Sequence, residues 1–218
     1  MYKQIKKAFT LAEVLTVIGI IGVVATLTLP NLKDSSDEQV NVSKAKKVYS
    51  ELGTAWDRVS LKYSGNPASN SGIWAGNATP AANRMNKYLK ITNTNSAYWF
   101  ETSTNCKNTA TGLADGSSYC TQYYNTTCTD VKFDVDGPKK GMNTLGYDVF
   151  YASLYSASNM DAVEIRPYGC SINASSITNT TSPSTGDQKS LYWVTLYDNM
   201  DYRKCASSLK FYNITTCH

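Results

Sequence analysis

The sequence predicts an α+β protein: a long N-terminal α-helix packed on an antiparallel β-sheet head. Three observations carry that class. An apolar run fills residues 9–32. An apolar stripe at helical spacing then extends to about Tyr63. From Ala97 onward, short stretches bearing Val, Tyr and Phe alternate with Ser/Thr/Asn/Gly loops. Helices followed by a run of strands indicate α+β layering with an antiparallel sheet.

Taking the elements in order, residues 1–8, MYKQIKKA, form a basic leader carrying Lys3, Lys6 and Lys7. Residues 9–32 contain a single charged side chain, Glu13, and as a helix they are long enough to cross about 30 Å of hydrocarbon. Lysines ahead of the span and none within it favour a cytoplasmic N-terminus. Three readings compete for this segment: a secretory signal cut after the apolar run, a plain membrane anchor, and a signal cut ahead of the run. Glu13 discriminates among them. A carboxylate inside a membrane helix costs roughly 2.5–3.5 kcal/mol, less near the helix end, and neither a signal peptide nor a plain anchor gains from it. A cut after Ala8 would create an α-amino group on Phe9, four residues from Glu13 and at the same membrane depth. That amine could meet Glu13 of its own helix or of a neighbour.

Residues 33–39, KDSSDEQ, contain two capping-box patterns, Ser35-x-x-Glu38 and Ser36-x-x-Gln39, which predict the start of a second helix. Ala45, Val48, Tyr49, Leu52, Ala55, Trp56 and Val59 form an amphipathic stripe that faces a core. Residues 64–72 read as a loop. Thr79-Pro80 opens a short helix to about Lys90, with Met85, Tyr88 and Leu89 inward. Strands are expected at 97–101, 131–136, 147–155, 162–167 and 191–197, and residues 171–190 as a surface loop. The domain organisation is then a leader at 1–8, a transmembrane helix at 9–32, an amphipathic helix at 33–63 and a β-rich head at 64–218.

Composition narrows the chemistry. The net charge is +4, and without the three leader lysines the remainder is nearly neutral, which argues against direct nucleic-acid binding. The only histidine is His218, which removes most histidine-based metal sites and histidine-driven catalysis. No nucleophile–base set is visible and an enzyme is not expected, although Ser-Lys and carboxylate dyads stay open. The six cysteines, Cys106, Cys120, Cys128, Cys170, Cys205 and Cys217, show no C-x-x-C spacing; their even number suits up to three disulfides in an oxidising compartment, with the pairing left open. Asp134-x-Asp136-Gly137 with Asp148 resembles the start of a calcium loop, but lacks the acidic twelfth position of an EF-hand. The competing reading is a hairpin turn with Gly137 at positive φ and Asp side chains capping amides. Asn-x-Ser/Thr triplets at Asn125, Asn179 and Asn213 read as a product of a Ser/Thr/Asn-rich composition.

The residues of the first segment carry a resemblance. Lys6-Lys7-Ala8-Phe9-Thr10-Leu11-Ala12-Glu13-Val14-Leu15, continuing through Gly19, Gly22 and Pro30, resembles the cleavage and methylation motif of type IV pilins and pseudopilins. Ala8 stands where the family usually has Gly, and Ala12 where a larger aliphatic is common. In the head, residues 130–154 resemble a pseudopilin segment through Asp136, Gly137, Asn143, Gly146, Asp148 and Phe150, with Met142 in place of the usual Pro. Tyr192-Trp193-Val194, then Asn199-Met200-Asp201-Tyr202 and Cys205, are similar to the tails of some bacterial members.

The resemblance implies a pilin-like fold and a structural filament subunit of a type IV pilus or type II secretion-like machine. It implies cleavage at Ala8/Phe9 and N-methylation of Phe9 by a prepilin peptidase/N-methyltransferase, with Glu13 as the assembly residue. Gly19, Gly22 and Pro30 become the weak part of the helix, able to melt locally in a filament. Copies of the chain or other pilins, an inner-membrane assembly platform and membrane lipid are the implied partners. The head would be extracytoplasmic, first on the inner membrane and then in a periplasmic pseudopilus or surface pilus. The resemblance also implies a Cys205–Cys217 staple and keeps calcium as a candidate cofactor. The alternative from another class is a membrane-anchored extracytoplasmic binding protein or hydrolase with a disulfide-bonded β head.

Overall fold

The computed structural model describes residues 9–62, 79–96, 110–125, 128–137, 140–141, 143–156, 163–184 and 186–217. The chain divides into two compact units, residues 1–38 and 39–218. One helix, α1 (Leu11–Lys62), contributes to both.

In the first unit α1 is apolar on every side. The window Leu11–Thr28 has a mean hydropathy of 2.2, and none of it is buried. Its threonines are reconciled with that character locally: Thr16 donates to the carbonyl of Ala12 at 2.8 Å, Thr26 to that of Val23 at 2.8 Å and Thr28 to that of Val24 at 3.0 Å. Each hydroxyl is thereby satisfied within the helix, as a lipid environment requires. The helix runs without a break through Gly19, Gly22 and Pro30. It also runs through residues 33–39, so the two serine capping boxes expected there start no helix. Residues 31–39 contain neither Pro nor Gly, and propagating an existing helix is far easier than nucleating a new one.

The second unit is built on the other end of α1. Val42, Ala45, Val48, Leu52, Ala55, Trp56 and Val59 are all buried, at three- and four-residue spacing. Half-buried Tyr49 reaches the carbonyl of Ile165 with its hydroxyl at 3.1 Å. A short helix, α2 (Thr79–Met85), adds Ala81, Ala82 and Met85 to this core. The sheet is a six-stranded antiparallel meander in sequence order: β1 (Ile91–Ser96), β2 (Ala110–Leu113), β3 (Ser118–Asn125), β4 (Cys128–Asp134), β5 (Val149–Ser156) and β6 (Val163–Arg166). In register, Tyr119 pairs with Phe133 and Phe133 with Phe150, so one aromatic row crosses three strands on the core face. The Phe133 and Phe150 rings lie 5.7 Å apart. Gly53 lets α1 approach the sheet closely, since a Cβ there would lie 3.3 Å from the Ile165 side chain.

The expected strands at 131–136, 147–155 and 162–167 correspond to β4, β5 and β6, with shifted ends. The one at 97–101 lies outside the described residues. The one at 191–197 is a helix, α3 (Ser190–Tyr197), followed by α4 (Tyr202–Cys205). The burial follows helical offsets: Ser190, Leu191, Trp193 and Val194, at i, i+1, i+3 and i+4, are enclosed on one side, while Tyr192 and Thr195 are only half-buried. Asp198, in the left-handed region at φ 54°, ends α3 by returning its N–H to the carbonyl of Val194.

Candidate functional site

The residues that the sequence singles out fall into two places. The first is the start of α1. Thr10 caps the helix, and both its backbone N–H and its hydroxyl donate to Glu13 Oε2, at 2.8 and 2.9 Å. The Glu13 N–H donates back to Thr10 Oγ1 at 3.3 Å. This is a reciprocal capping box, T-x-x-E, with the carboxylate also placed at the positive end of the helix dipole. Glu13, expected as an assembly residue, is thus also the acidic partner of a capping box that Thr10-x-x-Glu13 spells out in the sequence.

The box has a chemical consequence. Glu13 uses one oxygen for two donors, while Oε1 has no partner among the described residues. Phe9, one residue ahead of the cap, is 85% exposed, and Phe9, Glu13 and Val17 line one groove on the helix surface at four-residue spacing. Ala8 and the remaining leader lie outside the described residues. A Cβ at Gly19 or Gly22 would meet nothing within 4 Å, so neither glycine is needed for space within the chain itself. Pro30 is accommodated within the α1 backbone.

The second place is the β4–β5 connection with the disulfides around it. Asp134 Oδ1 accepts from the Asp136 N–H at 3.0 Å and the Gly137 N–H at 2.8 Å, and Gly137 sits at φ 89°. Asp148 accepts from the N–H of Asn143 at 3.1 Å and from that of Thr144 at 2.5 Å. These two carboxylates hold a turn by capping its amides. Among the described residues no group of three or more His, Cys, Asp or Glu stands close enough to hold a metal ion. Burial pushes the Asp134 carboxyl up to about 7, its two amide donors acting the other way and Asp136 adding to the rise.

Cys128 is bonded to Cys170 and Cys205 to Cys217, and Cys120 is also disulfide-bonded; Cys106 lies outside the described residues. Beside the first bridge lies a polar layer that sequence reasoning missed. Asp130 and Lys132, both buried on β4, share one face because they are two residues apart. Asp130 Oδ1 accepts from the Cys170 N–H at 2.6 Å, and the Lys132 ammonium lies 4.9 Å from the centre of the Tyr151 ring. Burial raises the Asp130 carboxyl and lowers the Lys132 ammonium from their ordinary values. The alternating charge of DVKFD carries no flag for this layer, because an exposed strand face reads the same way. At the C-terminal bridge, Asp201 receives the Cys217 N–H at 3.0 Å. Searches of protein-family models, curated proteins and solved structures yield no match to this chain.

Proposed function

We propose that the chain is a structural filament subunit of the pilin or pseudopilin kind, cut before Phe9 and assembled through the first part of α1. The observation that carries this reading is the Thr10–Glu13 capping box at the head of an uncovered apolar helix. It explains how a carboxylate can enter a membrane in the unassembled subunit: two Thr10 donors and the helix dipole replace part of its hydration. It also leaves one oxygen available. Cleavage ahead of Phe9 places an ammonium at the edge of the same turn, and a neighbouring subunit's ammonium can reach the open oxygen when helices pack side by side. A subunit out of register leaves a buried carboxylate without its cation, which is costly, so the pairing sets axial position while the apolar sides supply cohesion.

In this reading the apolar window Leu11–Thr28 first lies in the inner membrane and then in the filament core, and the disulfide-bonded second unit is extracytoplasmic. The partners are the peptidase/N-methyltransferase, other subunits, the assembly platform and lipid. The decisive experiment is N-terminal mass spectrometry of the protein from membranes containing its cognate peptidase. A start at Phe9, with or without a methyl group, is expected. An intact Met1, or a start within or after the apolar run, would overturn the filament reading and favour a membrane-anchored binding protein or hydrolase.

A further inference from the structure

The described bridges share an order. Cys128 is bonded to Cys170 and Cys205 to Cys217, and in each case the partner is the next cysteine in the chain. Cys120 is bonded too, and only Cys106 precedes it. Loop closure alone prefers a different pairing. Cys120 and Cys128 are eight residues apart, whereas Cys128 and Cys170 are separated by 42. In an unfolded chain with every thiol free, Cys128 would meet Cys120 about tenfold more often than Cys170.

The fold keeps that close pair apart. In the β3–β4 register Cys120 lies opposite Lys132, four residues along β4 from Cys128, or about 13 Å along the strand. A disulfide needs its Cα atoms within about 7 Å. A Cys120–Cys128 bridge is therefore incompatible with the β3–β4 pairing, and it must be avoided or undone before the sheet forms. In the finished sheet both residues are buried, away from any exchanging thiol.

We propose that the head is oxidised in order of emergence, Cys106 with Cys120, then Cys128 with Cys170, then Cys205 with Cys217, by an extracytoplasmic dithiol–disulfide oxidase and without a disulfide isomerase. A cytoplasmic N-terminus delivers the head to the far side of the membrane beginning at α1, so Cys120 is spent before Cys128 arrives. The thiolate of the earlier cysteine attacks the oxidase disulfide, and one oxidase sulfur leaves as a thiolate. The thiolate of the later cysteine then attacks the earlier sulfur and releases the second. Each pair loses two electrons and two protons, and the oxidase disulfide becomes a dithiol. The proposal rests on the extracytoplasmic head of the filament reading.

The test follows full-length protein, pulse-labelled in a host lacking its extracytoplasmic disulfide isomerase. Chains are trapped by acid and thiol alkylation, then mapped without reduction by mass spectrometry. The parent should keep its consecutive pairs with less than twofold loss relative to cells containing the isomerase; a larger loss overturns the proposal. Removing the thiol oxidase instead should lower all three pairs at least tenfold, and a smaller fall overturns the partner class. Cys106→Ser separates order from fold. Ordered pairing slips by one, joining Cys120 to Cys128 and Cys170 to Cys205, and Cys217 is alkylated at least threefold more than Cys120. Pairing directed by the finished fold keeps Cys128–Cys170 and Cys205–Cys217 and leaves Cys120 alkylated; a ratio below threefold overturns the order. Trapping within the pulse reads the pairing before misfolded chains are degraded. The two readings fail separately. A Phe9 N-terminus with mispaired parent cysteines removes the ordered oxidation alone, and an intact Met1 with consecutive pairs removes the filament alone.

Discussion

The two parts of α1 share one continuous backbone and obey different solvents. Over Leu11–Thr28 apolar side chains point in every direction, with Leu11 at 80% and Leu27 at 70% exposure. Over residues 42–59 the apolar residues keep to one stripe, where Leu52, Trp56 and Val59 are fully enclosed and the intervening Lys47, Glu51 and Asp57 stay outside. The lesson is that helix propensity is common to both and partner is not. An all-round apolar surface asks for lipid or other helices, and a stripe asks for a sheet. In the filament reading the first part contributes its energy to assembly, and the second contributes to folding, so substitutions in the two should separate cleanly.

The largest separation is expected at Trp56. Trp56→Ala should lower the stability of the second unit by about 3–5 kcal/mol, because the cavity left in a close-packed core collapses only partly. Val17→Ala should leave it within about 0.5 kcal/mol, since Val17 is 54% exposed and is not a member of that core. Urea unfolding of the full chain in detergent, followed by near-ultraviolet circular dichroism, measures both. Equal losses would mean that the two parts of the helix are not energetically distinct.

Next come the bridges, which the structure places only in the second unit among the described residues. Replacing Cys128 and Cys170 by Ser should cost about 4 kcal/mol in the chain-entropy model, and replacing Cys205 and Cys217 about 3 kcal/mol, the sequence separations being 42 and 12. Calorimetry under oxidising and reducing conditions checks the order, and amide exchange over Leu11–Thr28 should not change. A reversal would show that the Asp130–Cys170 and Asp201–Cys217 hydrogen bonds outweigh loop length.

These contrasts also explain what could be read from residues alone. The apolar span and the stripe are legible because period reports directly on burial, and β4 to β6 because Val, Phe and Tyr recur there. β1, ITNTNS, carries no apolar alternation; it is an edge strand with two register shifts, held by its pairing with β2. β3 hides its alternation because Tyr119 and Cys120, on opposite faces, are both enclosed. Residues 191–197 carry strand-forming side chains, and burial of Ser190, Leu191, Trp193 and Val194 on one helical face overrides that preference. At the candidate site, Glu13 stands out as the lone charge in an apolar run, whereas its hydrogen bonds to Thr10 are a capping pattern that a membrane reading overlooks.

The sharpest test of the first part of α1 leaves the second untouched. Glu13→Val should still be cut before Phe9, yet yield at least tenfold fewer filaments, with the melting temperature of the second unit unchanged. Thr10→Ala keeps the carboxylate and removes one capping donor and the returning acceptor, at about 1 kcal/mol of helix-end stability, so its filament loss should be smaller. Filament yield by shearing and N-terminal mass together check these outcomes. Normal yield from Glu13→Val would remove the register argument and leave cohesion to the apolar surface alone.

The smallest effect belongs to the β4–β5 turn. Asp134 is held at about 7 in the fold, above an ordinary carboxylate, so the folded state retains a proton that the unfolded chain has released. That contribution is complete below about pH 4 and is lost as pH rises toward 7, so stability should fall across this window. Asp134→Asn keeps an oxygen for the Asp136 and Gly137 amides and removes the ionisation. It should match the parent near pH 4, exceed it by ~1–2 kcal/mol at pH 8 and flatten the slope between. A residual slope should persist, because Asp130 is raised by burial in the same sense. The same titration addresses calcium, since a carboxylate that caps a turn and one that binds a cation respond oppositely to amide substitution. If millimolar calcium stabilises the parent and Asp134→Asn abolishes that gain, the turn is an ion site; if calcium shifts neither, Asp134 serves the amides alone.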